Sequence, residues 1–391
     1  MAAVAWGGNE FTPLLVMYRA DGLGAVTVDG LLAAYVVGIV PALLLGGPLS
    51  DRYGRRPLML PAAPISAVGS VILALGSEQP VLLGIGRVLC GIALGLVMAV
   101  GTTWVTELSA VNGQADDGAR RASLALTGGF LLGAAVASLL AQWGPWPTRL
   151  PYLSHVVLAV VAAIGILPVG ETRMVGDSRV EGAPDSPTTS LLSDLRVPAV
   201  AHRRFLRVVL PSAPWVFACV GVAYAVLPGL LAKHAGSAPI AFAGLMTVLT
   251  LGCGIGIQVV ARKIDTHRSA RATMIAMSLI VVGLALGAWA ADALELPLGL
   301  VAAAILGVGY GLALVAGLSE VARIAGPDQL AGLTAVYYSV AYLGFFVPMI
   351  LAWLSTSYAY WAMLGVLAVV AVACLGLIAA SSRRHLPVAS A

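Results

Sequence analysis

Few side chains in this sequence can carry charged chemistry, and two of them stand where charge is expensive. Glu10 lies in the apolar run 2–18 and Arg87 in the apolar run 80–106. They are the one acid and the one base set well inside such runs. An ionisable group held away from water has to be matched or neutralised, so each is a candidate for function before solvation. A buried carboxyl can take up and release a proton, because burial favours the neutral acid and a nearby guanidinium favours the anion. Asn9 precedes Glu10 and is one of two asparagines in the chain, and a polar Asn-Glu step in a short apolar helix is not expected to face lipid. His155 stands near the end of another apolar run and reads as a satisfied polar contact.

Other chemistries lack their residues. Cys90, Cys219, Cys253 and Cys374 all fall in apolar runs, as small buried hydrophobes do, with neither a disulfide set nor a metal-ligand spacing. The two lysines, Lys233 and Lys263, do not follow a glycine, so no Walker-type phosphate loop can be written and ATP is not expected as direct fuel. No His/Asp or Asp/Asp cluster of an embedded enzyme is present, and no cofactor is expected.

The elements that position Glu10 and Arg87 follow from composition. The 391 residues are 60% hydrophobic and 10% charged, against roughly 25% charged in a soluble domain. Apolar segments near 2–18, 28–48, 57–77, 80–106, 122–143, 151–168, 208–230, 239–261, 270–291, 297–318, 332–354 and 358–380 each approach the ~20 residues of a spanning helix. Twelve spans put both termini on one side. Arg19, Arg149 and Lys233 fall in loops of the opposite side and Arg87 within a span, while every other basic residue lies in the even-numbered loops or the tail. By the positive-inside rule both termini are cytoplasmic, and the basic residues, confined to short loops, do not read as a nucleic-acid surface. The first span starts almost at Met1 without the charged leader of a cleavable signal, so its helix begins at the membrane surface or the true start lies upstream. Glu10 and Arg87 each fall about 10–12 Å below the outer end of their spans, at 1.5 Å per residue, which allows them to pair.

Between the second and third segments lies Gly47-Pro48-Leu49-Ser50-Asp51-Arg52-Tyr53-Gly54-Arg55-Arg56. It resembles the signature loop of the major facilitator superfamily, Gly-x-Leu-x-Asp-Arg-x-Gly-Arg-Arg, at every position. Arg87 with Gly91 and Gly95 is similar to the fourth-helix motif associated with proton coupling in that family. The fifth segment resembles the antiporter motif in part: Gly129 and Gly133 are present, Ala134 replaces its proline, and its terminal glycine pair is missing. The halves also resemble one another. Glu107 and Glu320 close the fourth and tenth segments, and Gln258 to Asp265 occupies the place of the signature loop without its Asp-Arg-x-Gly core.

The resemblance implies an all-α integral membrane protein with twelve transmembrane helices in two parallel six-helix repeats. The expected division is 1–168, a cytoplasmic linker 169–207 with a short surface helix near 190–195, and 208–391. The substrate cavity is implied at the midplane between the halves, lined by Asn9 and Trp6 on one side and by Trp215, Tyr224, Tyr310, Tyr338 and Tyr342, in a second half without mid-membrane charge, on the other. Tyr and Trp offer apolar area with one polar handle, suited to an amphipathic organic solute, and their faces can hold a cation. The resemblance further implies a cytoplasmic gate. Gly47, Asp51, Arg52, Gly54, Arg55 and Arg56 would work with Glu107, and Arg262 or Arg268 with Glu320, in pairs of ~0.2–1 kcal/mol that are cheap to break. Such pairs would latch the inner side in the outward-facing state. Glu10 and Arg87 are implied as the proton-coupling pair.

The functional expectation is a secondary transporter of the cell membrane, moving a small organic solute on the proton gradient as a drug or metabolite efflux antiporter, with the lipid bilayer as its surroundings and a monomeric state. Proton-coupled import of a nutrient is the alternative, and a sensor that kept the fold and lost transport is a third reading.

Overall fold

The computed structural model describes residues 1–111, 114–172, 197–266, 268–326 and 329–384. Helix dominates, and no strand is present among the described residues beyond one isolated bridge, Thr266 to Ser269. Ten helices are long and apolar enough to cross a membrane: α2 (Ala25–Tyr53), α3 (Arg55–Leu75), α4 (Pro80–Val111), α5 (Ala115–Trp143), α7 (Phe205–His234), α8 (Pro239–Ile264), α9 (Arg271–Ala293), α10 (Leu296–Ile324), α11 (Leu330–Leu354) and α12 (Tyr360–Ser381). The shorter apolar α6 (Leu150–Ile166) and the broken α1 (2–20) complete twelve passes. In hydrocarbon a continuous helix satisfies its own backbone, which is why nearly every apolar run takes this form.

Within the first six helices, α4 packs on α2 and α3, α1 on α5, and α3 on α6; within the last six, α10 packs on α8 and α9, and α12 on α9. The two sets meet where α2 faces α11 and α5 faces α8. The end carrying Arg55, Glu107 and the chain terminus at Met1 is called the basic end below, and the opposite one the far end. Residues 173–196, which include the surface helix expected near 190–195, lie outside the described residues.

The α2–α4 contact depends on two glycines. A Cβ on Gly38 would fall on the Val88 carbonyl, and one on Gly91 on the Tyr35 carbonyl, both well inside van der Waals distance. Small residues at such crossings let membrane helices approach closely. Four helical irregularities lie at mid-depth. The regular helix of α1 stops at Asn9 and resumes at Leu15 after a 3₁₀ turn, Thr12–Leu14, that contains Pro13. The α4 and α7 helices widen into π-turns at Val97–Gly101 and Val222–Val226, and α11 tightens into a 3₁₀ turn at Leu343–Phe345. Such departures are common at functional positions, and each lies beside the cavity described next.

Gly91→Val places a branched side chain against the α2 backbone. Overpacking of this kind costs about 1–3 kcal/mol, so the variant is expected to unfold several degrees below the parent in detergent; an unchanged melting temperature would show that the two helices are not held in contact.

Candidate functional site

A central cavity of about 190 Å³ lies between the two halves. Its wall comes from α1 (Gly8, Asn9, Thr12), α2, α4, α5, α7, α8, α10 and α11. Asn9, Arg87, Tyr224, Tyr310, Tyr338 and Tyr342 all face it. Trp6 and Trp215 do not, contrary to the sequence expectation. Each stands two positions before a lining residue, Gly8 and Phe217, and two helical positions are about 200° apart. The Trp6 backbone lies against Gly133 of α5. Tyr337, one position from Tyr338, is buried and donates to the Ala313 carbonyl at 3.3 Å.

Sequence reading missed several wall residues. Tyr35 lies in the cavity wall, and its hydroxyl is buried without a hydrogen-bond partner. Phe217 stacks on Tyr342 (centroids 4.3 Å apart) and on Phe345 (5.0 Å). Ser123, Leu126 and Tyr338 are shared with a second hollow reaching Thr106 and Glu107, so the cavity leads toward the basic end.

Glu10 and Arg87 are not paired. The Arg87 guanidinium lies 4.7 Å from the Phe11 ring centroid and 4.3 Å from that of Tyr35, and donates to the carbonyls of Gly8 (3.3 Å) and Leu31 (3.4 Å). Phe11 thus meets the cation, and its neighbour Glu10 turns the other way, into α3 and α6. There Ser70 Oγ is 2.8 Å from Glu10 Oε1 and 2.7 Å from His155 Nδ1, and His155 Nε2 is 3.0 Å from the Ala3 carbonyl oxygen. All three side chains are fully buried. Glu10 Oε2 has no hydrogen-bond partner, so the carboxyl communicates through Oε1. Asn9 is held by donating to the Phe130 carbonyl (3.0 Å) and accepting from Thr12 (2.8 Å). His155 could have been suspected from its being the one histidine inside an apolar run; its partners are 85 and 145 positions away, beyond any local pattern.

The hydrogens of this cluster can be counted. A carbonyl only accepts, so Nε2 of His155 carries a hydrogen toward Ala3. With a neutral imidazole Nδ1 is then bare and accepts from Ser70, and Glu10 must be protonated to donate to Ser70. With an imidazolium, Nδ1 donates to Ser70 and Ser70 donates to a Glu10 carboxylate. Both forms satisfy every contact, and they differ only by a proton passed through the serine hydroxyl. Removing that proton leaves one Ser70 hydrogen between two acceptors, a buried deficit of about 1–3 kcal/mol. The cluster therefore holds one shared proton firmly while its geometry lasts. Gly7 permits that geometry, since a Cβ there would lie 2.5 Å from His155 Nε2.

The far end is closed across the halves. Arg19 of α1 is paired with the buried Asp29 of α2, an acid that sequence reading did not single out, and its guanidinium reaches the Ala225 carbonyl of the α7 π-turn at 3.5 Å. Gln142 of α5 accepts from the backbone N–H groups of Ile240 (2.9 Å) and Ala241 (3.2 Å) at the start of α8, and donates to the Ser237 carbonyl (3.1 Å). Met349 of α11 covers Gly30 of α2.

At the basic end Arg55 joins Asp51 (2.7 Å) to Glu107 (3.2 Å). Gly54 turns the chain at φ 99°, and the Arg55 and Arg56 backbone N–H groups donate to Glu171 at 3.0 and 2.9 Å. Gly47 has open space beside it, and Arg52 is exposed at the end of α2. This bridge lies within the first half and is made while the far end is closed, the state in which the sequence reading has it open. Glu320 is not held by Arg268, and the Arg262 side chain lies outside the described residues. Its partners are Arg204, at 2.5 and 2.7 Å, and Arg323, at 3.0 Å, with Arg323 also reaching Asp265. Arg204, read as a loop residue, is fully buried and also donates to the carbonyls of Ser382 and Arg384.

Twelve passes around one cavity, closed at one end, are the fold of a membrane transporter of small solutes. The chain belongs to the Major Facilitator Superfamily, whose profile matches residues 1–348. It is 30% identical over 332 residues to a chloramphenicol resistance protein of Pseudomonas aeruginosa, covering 82% of this chain and 74% of that one. It is 28% identical over 171 residues to the glucose transporter GlcP of Staphylococcus epidermidis, across 44% of this chain and 37% of that protein. Among solved structures, the nucleoside transporter NupG superposes with a TM-score of 0.72 at 11% identity, over 97% of this chain and 96% of the other. An inward-open, partially occluded form of the Escherichia coli xylose transporter XylE gives 0.71 at 14%, over 97% and 95%.

Ser70→Ala separates carboxyl from imidazole, and Gly7→Ala displaces the ring. Each is expected to lower stability by about 1–3 kcal/mol and to shift the carboxyl infrared band that Glu10→Gln removes; a band insensitive to both would disprove the shared proton. Asp29→Asn, in a cysteine-replaced background with spin labels at Asp21 and Lys233, is expected to move the inter-label distance distribution toward longer values. An unmoved distribution means that Arg19 does not hold the far end shut.

Proposed function

We propose that this protein exports small organic solutes in exchange for protons, by alternating access, in the cell membrane, with its basic end and both termini in the cytoplasm. The observation that carries the reading is the adjacency of two sites on one broken helix: Gly8, Asn9 and Thr12 line the cavity, while Glu10 between them holds the shared proton with Ser70 and His155. A solute pressing on 8–12 shifts the short regular segment and the 3₁₀ turn that meet at Glu10. Once Glu10 moves from Ser70 the reason for retaining the proton is gone, so solute and proton occupy the protein alternately. The far-end contacts of Arg19 and Gln142 break as the halves rock, and α7 bends at its π-turn. The Arg55 bridge keeps α2, α3 and α4 together as one moving body. The proton gradient supplies the energy, with no cofactor and no ATP, and a monomer suffices because the cavity is built within one chain.

Export is supported by the relative named for chloramphenicol resistance, which aligns over most of both chains. Import by symport is the second reading, favoured by the sugar-transporter relative and by Ala134 at the place of the antiporter motif's proline. Proteoliposomes containing a pH-sensitive dye separate these readings. Outward-directed solute flux is expected to move protons the opposite way, and Glu10→Gln to abolish the proton signal and reduce gradient-driven flux at least tenfold. Protons moving with the solute would make the protein a symporter, flux without a proton signal would remove Glu10 from coupling, and no flux with any compound would leave a sensor.

A further inference from the structure

The charge and stacking of the cavity wall identify a class of solute. Among the described residues Arg87 is the one charged side chain in that wall, and no carboxylate lines it. Glu10 is turned away into its own cluster with Ser70 and His155, and Glu107, in the adjoining hollow toward the basic end, is paired with Arg55. An organic cation seated in this cavity would meet a like charge with no carboxylate in the described wall to offset it. Aromatic walls often hold cations on ring faces, but the two rings beside Arg87 are already taken by its own guanidinium. Phe11 and Tyr35 lie against the Arg87 guanidinium, and Phe217, Tyr342 and Phe345 pack on one another in a cluster.

What the wall offers is complementary to oxygen acceptors. The guanidinium supplies positive charge at the head of the cavity. Beside it the buried Tyr35 hydroxyl, 4% of whose residue surface is exposed, has no partner within the protein. A buried hydroxyl left unpaired is a cost that a ligand acceptor can remove. Below lie Tyr224, Tyr310 and Tyr338, with the Phe217 stack presenting ring edges and apolar area to a flat group.

We infer that the cavity binds aromatic molecules whose polar end is an uncharged or anionic oxygen acceptor, such as a nitro or carboxylate group, and discriminates against organic cations. The acceptor sits against Arg87 and Tyr35, and the ring lies along the tyrosines toward Phe217. This inference rests on the transport reading only for the cavity's being the solute site; the binding preference itself stands apart from any flux.

The test uses a matched trio with one ring and three charges: benzyl alcohol, benzoate and benzyltrimethylammonium, of which the last has no oxygen acceptor. Binding is read by saturation-transfer NMR on full-length protein in nanodiscs. The alcohol and the carboxylate are expected to saturate at concentrations at least tenfold below the ammonium compound. Tyr35→Phe, which removes a single hydroxyl and preserves the ring over Arg87, is expected to weaken the first two about five- to tenfold and leave the third unchanged. Gln258→Glu, which introduces an acid into the wall, is expected to admit the ammonium compound. Equal or tighter binding of the cation by the parent overturns the inference, as does a Tyr35→Phe variant that binds all three like the parent. Selective binding without flux in proteoliposomes would sink the transport reading and leave the binding preference standing.

Discussion

A carboxyl group surrounded by helices needs a hydrogen for each close oxygen and nitrogen it meets, and much of the first half is arranged to meet that need for Glu10. Three helices bring a glutamate, a serine and a histidine together out of reach of bulk solvent, and a backbone carbonyl at Ala3 fixes which imidazole nitrogen keeps its hydrogen. The glycine at position 7 exists in this account because the ring must lie against the α1 backbone. Break any of these and the remaining groups are left short of a partner in a medium that offers none. A rigid cluster beside an interrupted helix is a sensitive combination: the helix is soft where it carries the acid, and the partners of the acid are not.

The second half solves a similar problem differently. Its mid-depth is uncharged and aromatic, and its charge is concentrated at the basic end, where Arg204 and Arg323 share Glu320 and Arg323 reaches Asp265. The first half has its own bridge at that end, with Arg55 between Asp51 and Glu107. The acids occupy corresponding places, but the arginines come from different elements. Repetition has kept the position of negative charge and let the source of positive charge drift.

Much of this was legible in the sequence. Membrane residence, the helix count and the 47–56 turn follow from apolar run length and from a dense local pattern. Glu10 and Arg87 were visible as charges in apolar surroundings, and five of the seven proposed cavity residues do face the cavity. Their partners were not visible. Depth along a helix can be counted from residue number, which made a Glu10–Arg87 pair plausible, but rotation about the helix axis cannot. Phe11 rather than Glu10 meets the guanidinium, and Trp6 and Trp215 point away, for that same reason. Glu320 was assigned an arginine by analogy with the first half; Arg204, ahead of a π-turn at the start of α7, looked like part of a polar linker until the fold buried it. Asp29 escaped notice because it lies one turn inside a helix whose start the hydropathy pattern placed close by.

Gln142 has a consequence for how the molecule is assembled. The first backbone donors of α8 are satisfied by an amide contributed by α5, so the start of a helix in one half is completed by the other. During synthesis α5 precedes α8, and the waiting glutamine offers a docking point for a helix that has not yet been made. The halves are thereby registered to one another at the surface, by a contact that water can replace. An assembly mark of this kind is also a release point, because what aligns the halves during biogenesis is weak enough to be given up in every cycle.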